Sequence, residues 1–267
     1  MEESKVNIKF ISSSALKILT MVLMILDHWA WCALDIHTPA AQIIHIIGRI
    51  AVPSMCYFIV EGFFYTSNLK KYMIRLFICG LVSAIPFTLF FYDMYGFRQN
   101  IMFDYLMGLI CIAAIDSKKI KVIFKVLICI LMFALSFFIG GWPVVPLVFT
   151  IIFYHYKDKF VPQLLLVSAT VIGYELFAIV YFFYCEKNGI PDKFQTTWWE
   201  RLYLLAMIAP VFILKYLYNG KRGGKIFGKY LKVVFYGFYP VHFIILIIVR
   251  LIVKDDVTIS NIWSMGY

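Results

Sequence analysis

Charge is what this sequence has least of. Asp, Glu, Lys and Arg make up 15% of its 267 residues against 63% hydrophobic, where soluble domains carry about 25% charged residues. A soluble fold is therefore excluded. Polar stretches long enough for a separate soluble domain are missing too, and apolar runs of 18 or more residues recur along the chain, the pattern of a polytopic helical membrane protein. The runs lack period-2 alternation, which excludes a transmembrane β-barrel. The six cysteines (Cys32, Cys56, Cys79, Cys111, Cys129 and Cys185) include no C-x-x-C pair. They read as small buried hydrophobes, with neither a zinc site nor a disulfide framework, and no metal is expected. The first apolar run has no small-residue cleavage site, so it is expected to stay in the membrane.

The runs predict nine spans, at about 15–34, 42–64, 72–92, 100–115, 120–139, 143–156, 162–185, 202–218 and 233–253. Together they form an all-α bundle that fills residues 1–267 as a single transmembrane domain. The sixth span is short and opens at Gly140-Gly141-Trp142-Pro143. Of the 25 lysines and arginines, 18 fall at one set of span ends and six at the other, with Arg49 inside a span. By the positive-inside rule the N-terminus is then cytoplasmic. This distribution also explains the net charge of +10 without nucleic acid.

The first span carries Asp27 and His28 where a lipid-spanning helix should carry nothing charged. A carboxylate there costs about 2.5–3.5 kcal/mol on insertion scales, so an intramembrane Asp-His pair is a functional-site hypothesis. Eleven residues at about 100° each return to within about 20°, so Lys17 and His28 share one stripe roughly 16 Å apart along the axis. His45 and Arg49 lie one turn apart in span two. Asn100 and Asp104 are expected to be shallow on the outer side, and Glu175, Tyr239 and His242 near mid-membrane. Asp27 or Asp104 is the expected partner of the Arg49 guanidinium. Pro240 frees a carbonyl that a side chain or water must satisfy.

The expected inner end collects Glu61, Lys70, Lys71 and Arg75, and the loop Asn219-Gly220-Lys221-Arg222-Gly223-Gly224-Lys225. A Gly-rich basic turn can present N–H groups and cations to phosphates. Positive-inside loops in contact with anionic membrane lipids predict the same residues.

Several of these stretches together resemble the TraX family of membrane proteins. They are Asp27-His28, Gly48-Arg49-Ile50-Ala51-Val52-Pro53, Glu61-Gly62-Phe63, Thr66-Ser67-Asn68-Leu69-Lys70-Lys71-Tyr72 with Arg75, and Ser83-Ala84-Ile85-Pro86-Phe87. Asn100 with Gly108-Leu109, Asn219-Gly220-Lys221-Arg222-Gly223 and Phe238-Tyr239-Pro240-Val241-His242 complete the set. The founding member of that family is implicated in N-terminal acetylation of a conjugative pilin, which does not imply a pilin acceptor here, and the family is similar to the wider transmembrane acyltransferases, including acyltransferase family 3. In those proteins a basic residue precedes a histidine by ten intervening residues, as Lys17 precedes His28, and Arg-x-x-Val-Pro precedes Gly-Phe. One departure is Phe103-Asp104, where the family pattern has Phe-Thr.

The resemblance implies a bacterial, multi-pass plasma-membrane acetyltransferase. It would draw on acetyl-CoA and serve a hydroxyl or amine acceptor reached from the membrane or the outer side. Lys17, Lys70, Lys71, Arg75, Lys221 and Arg222 would hold the acyl-CoA head. His28 would act as general base or transient acyl carrier, with Asp27 beside it and Arg49 at the oxyanion. Glu61, Asn100, Asp104, Glu175, Tyr239 and His242 would line the substrate or support that set. A small secondary transporter or channel with an intramembrane Asp/His/Arg pathway is the alternative, although no internal repeat is visible.

Overall fold

The computed structural model of the chain describes residues 9–95, 99–190, 197, 200–221 and 225–253. Ten α-helices account for most of them: α1 Ser13–Ala33, α2 Pro39–Gly48, α3 Ala51–Tyr65, α4 Leu69–Tyr95, α5 Ile101–Asp116, α6 Val122–Ile139, α7 Val145–His155, α8 Phe160–Lys187, α9 Ala209–Phe212 and α10 Lys225–Val253. α9 is a single turn between a 3-10 stretch, Glu200–Ile208, and a π turn, Ile213–Leu217. No strand forms among the described residues, apart from an isolated bridge between Ile11 and Tyr218. All nine apolar runs fold as helix. Among the described residues, six segments are long and apolar enough to cross a membrane: Ser13–Ala33, Pro39–Tyr65, Leu69–Phe91, Val122–Ile139, Phe160–Lys187 and Val233–Ile252. This is the architecture of a helical membrane protein.

Helix starts follow side-chain chemistry. Ser12, Thr38 and Asn100 each accept a hydrogen bond from the first turn of α1, α2 and α5, and Asn68 Oδ1 accepts one from Lys71 N–H at the start of α4. Such caps satisfy amides that have no intrahelical partner. The second apolar run reads as one span in sequence but folds as two helices meeting at Arg49 and Ile50. Pro53 supplies no N–H to the Arg49 carbonyl four residues before it, which favours a break there.

α3 lies at the centre. Nine of its 15 residues are buried, and Cys56, Phe58 and Val60 join Leu16, Leu109, Phe149, Phe153 and Phe243 in the core. α6 is the opposite case, with Ser136 its one buried residue of 18. A helix this apolar with almost nothing buried suits a lipid environment. α5 differs in depth from the sequence expectation. Asn100 Nδ2 donates to Gly80 O at 2.8 Å, so α5 begins beside the middle of α4 rather than level with its far end.

Candidate functional site

Asp27 and His28, adjacent in sequence, point about 100° apart around α1 and enter two different clusters. Asp27, 7% exposed, faces the α2–α3 break. Both its oxygens receive Arg49 Nη2 at 2.5 Å, and Oδ1 also receives His45 Nδ1 at 2.9 Å. Because a carboxylate only accepts, the proton of the His45 contact sits on Nδ1. Nε2 of this fully buried ring has no hydrogen-bond partner among the described residues. Arg49 is flanked by the Trp142 and Tyr203 rings, each centred 5.1 Å from Cζ, and Trp31 packs 4.4 Å from His45. Of the two carboxylates expected for Arg49, Asp27 is the one that forms the ion pair.

Asp104 organises the turn that brings Trp142 to Arg49. It accepts from Ser136 Oγ at 2.7 Å and from Trp142 N–H at 3.1 Å, while Val144 N–H donates to Ser136 Oγ at 2.9 Å. Val144 has φ 67°, a left-handed conformation unusual for a β-branched residue. Gly140 lies against Asp104 and Ser136 so closely that any side chain there would meet them. Asp104 and Asn100, expected as substrate or supporting residues, are thus placed in helix-joining structure.

His28 turns the other way, toward α4 and α10. Its Nδ1 lies 2.9 Å from His242 Nε2, and His242 Nδ1 lies 3.2 Å from the Phe238 carbonyl. The carbonyl can only accept, so His242 carries its proton on Nδ1. In the neutral pair His242 Nε2 then accepts from His28 Nδ1–H, which leaves the lone pair of His28 on Nε2. Phe91 packs edge-on to the His28 ring at 5.4 Å and Phe243 stacks on it at 5.0 Å. Tyr239, 2% exposed, lies 5.5 Å from the His242 ring. The carbonyl left without an N–H by Pro240 is that of Tyr236, and Cys79 Sγ donates to it at 3.5 Å. That cysteine is a polar partner as well as a small hydrophobe.

At the lysine-rich end, Glu61 accepts from Ser13 Oγ at 3.1 Å and from the Tyr218 hydroxyl. Residues 11–13 pair with 217–221 through Ile11 N–H to Leu217 O, Asn219 N–H to Ile11 O and Ser13 N–H to Lys221 O. Lys17 Nζ sits 4.7 Å over the Phe58 ring. Lys70, Lys71, Arg75 and Lys221 are exposed. Arg222 and the two glycines after it lie outside the described residues. Glu175 is buried on α8, which packs on α7 and the 3-10 stretch.

A model of the TraX protein family matches residues 12–250. The chain belongs to the TraX protein family. Over 255 residues it is 29% identical to a probable fimbrial assembly protein of Dichelobacter nodosus, FimC of serogroup H1, covering 90% of this chain and 96% of that one. No solved structure matches.

Sequence reasoning left three partnerships unnamed. The ring contacts of Arg49 and the Tyr218–Glu61 contact join segments remote in sequence, and no local pattern signals them. The third links the α1–α2 loop to the 3-10 stretch: His37 Nδ1 and Glu200 Oε1 are 2.7 Å apart. The Glu200 hydrogen bond, helped by the charges of Glu200 and Asp35, raises the His37 pKa above its ordinary 6.5. Burial alone would raise Glu200, but donation from Thr197 and His37 outweighs it and holds the carboxyl below 4.5. The 3-10 repeat of three residues puts Tyr203 on the face of Glu200, so this latch bears on the ring beside Arg49.

Proposed function

We propose that this TraX-family chain is a membrane-bound acetyltransferase that moves an acetyl group from cytoplasmic acetyl-CoA to a hydroxyl or amine acceptor reached from the membrane or the outer side. The observation that carries the reading is the donor chain from His28 through His242 to the Phe238 carbonyl. It leaves an unprotonated imidazole nitrogen in an aromatic surround, the state a general base needs. His28 Nε2 takes the proton of the acceptor as its oxygen or nitrogen attacks the thioester carbonyl carbon. The carbon–sulfur bond then breaks and the imidazolium returns the proton to the leaving thiolate. His242 positions His28. Asp27 and Arg49 act one step back from the chemistry than the resemblance implies: their ion pair fixes the rotation of α1 and so aims His28 at α10.

The proposed topology has nine spans in a bacterial plasma membrane with the N-terminus cytoplasmic. It puts Lys17, Lys70, Lys71, Arg75 and Lys221 on the side where acetyl-CoA is found, and His28 about one extended pantetheine arm above Lys17. The relative named as a fimbrial assembly protein adds surface-fibre subunits to the glycans, lipids and secreted peptides to be tested as acceptors.

The test uses purified protein in detergent. Acetyl-CoA should raise the apparent melting temperature of both the wild type and His28→Ala. Acetyl-CoA-dependent thiol release should fall by about 10²–10⁴-fold in His28→Ala. Retained turnover would remove His28 from the role, and indifference of the wild type to acetyl-CoA would favour the transporter reading.

A further inference from the structure

We propose that the groove between the end of α5 and the first half of α6 is a binding site for one anionic phospholipid. The groove has a volume of about 450 Å³ and is lined by Ile115, Lys125, Val126, Cys129, Ile130 and Phe133. That size falls within the usual range for small-molecule sites, about 300–1,000 Å³. Lys125 is its one charged lining residue, and the other five are apolar, which suits an acyl chain.

The charges gather at one end. Lys118, Lys119 and Lys121 are exposed in the loop that joins the two helices, and Lys125 follows one turn into α6. Lys125 Nζ donates to the Ile115 carbonyl at 2.6 Å, one of the last-turn carbonyls of α5 that have no helical partner. This bond tethers the ammonium at the mouth of the groove with two N–H donors left over. The one carboxylate in this stretch, Asp116, accepts from the Tyr154 hydroxyl at 2.6 Å through Oδ1, and its single negative charge is outnumbered by the four lysines. A headgroup phosphate at the lysines, with a chain running along Val126, Ile130 and Phe133, satisfies both halves of the site. An uncharged or zwitterionic lipid satisfies only one.

The assay is native mass spectrometry of delipidated protein titrated with phosphatidylglycerol or with phosphatidylcholine of the same chains. One phosphatidylglycerol should be retained at least tenfold more tightly than phosphatidylcholine. Each lysine near a membrane surface adds about fivefold to anion attraction, so Lys118→Gln/Lys119→Gln/Lys121→Gln/Lys125→Gln should erase the preference while phosphatidylcholine binding stays. Ile130→Trp, which fills the groove from its exposed wall, should weaken both lipids. Lys159→Gln, exposed at the start of α8, should change neither. Equal retention of the two lipids by the wild type would overturn the proposal, as would a preference that survives the quadruple variant or is lost only in Lys159→Gln. A protein dimer that excludes lipid from this face would also overturn it. None of these readouts depends on acetyl transfer.

Discussion

Gly48 offers the sharpest test of the Asp27–Arg49–His45 cluster. A Cβ added there would stand 2.6 Å from Asp27 Cβ, 2.7 Å from Oδ1 and 2.8 Å from Cγ. Ordinary carbon contacts lie at about 3.5–4.0 Å, so the excess is close to an ångström. The Asp27 side chain cannot swing clear, because its Cβ is fixed by α1 and its carboxylate by Arg49 and His45. Either α1 and α2 part, an overpacking cost of about 1–3 kcal/mol, or the buried ion pair opens, at about 3–5 kcal/mol. The helix preference of alanine returns at most about 1 kcal/mol. Gly48→Ala should therefore lose about 2–4 kcal/mol, and at about 2–4 °C per kcal/mol its apparent melting temperature should drop by roughly 5–15 °C.

Gly173 is the matched control. It lies within α8 with nothing inside 4 Å of an added Cβ, so Gly173→Ala should melt at or slightly above the wild type. Tryptophan fluorescence during heating in detergent reads both variants, and Trp31 and Trp142 report the cluster itself. If Gly48→Ala melted with Gly173→Ala, the close packing of α2 on Asp27 would be refuted.

Replacing His242 with Ala removes the acceptor that fixes the His28 tautomer. Acetyl-CoA turnover should fall at least tenfold with acetyl-CoA binding unchanged, and undiminished turnover would sink the relay. Val144→Gly relieves a positive φ that costs about 1–3 kcal/mol and should raise the melting temperature; a drop would mean that the Val144 side chain matters more than its backbone. The His37–Glu200 latch has a defined pH window. His37, with its raised pKa, contributes fully below pH 6.5 and loses its contribution as the pH rises through its folded-state value. Glu200, with its lowered pKa, contributes above pH 4.5 and loses its share only as the pH falls through its folded-state value. The stability of the wild type, expressed as the difference from Glu200→Gln, should therefore fall as the pH rises above about 6.5, and parallel curves would refute the latch.

Much of this was legible in the sequence because a membrane span leaves few ways to hide a charge. Asp27, Arg49 and His242 stand out against apolar runs, and the structure gives each a partner. The faces they choose were not legible. Hydropathy sees residues 42–64 as one run and is blind to a two-residue break, which Pro53 alone hints at. Asp104 reads as another intramembrane acid, yet its Ser136 and Trp142 partners come from a turn that sequence places only by its glycines.

The separation of Asp27 from His28 has a mechanistic consequence. If both belonged to one proton relay, their adjacency would be a defect, since neighbouring helix positions diverge by about 100°. As members of two clusters it becomes useful. The Arg49 side clamps one face of α1 to α2, the His242 side presents the other face to α10, and one rigid turn joins them. A change that loosens the clamp must rotate α1 and swing the His28 ring away from His242 Nε2, 2.9 Å away. Gly48→Ala would then cost turnover as well as stability, although Gly48 touches neither histidine of the relay pair.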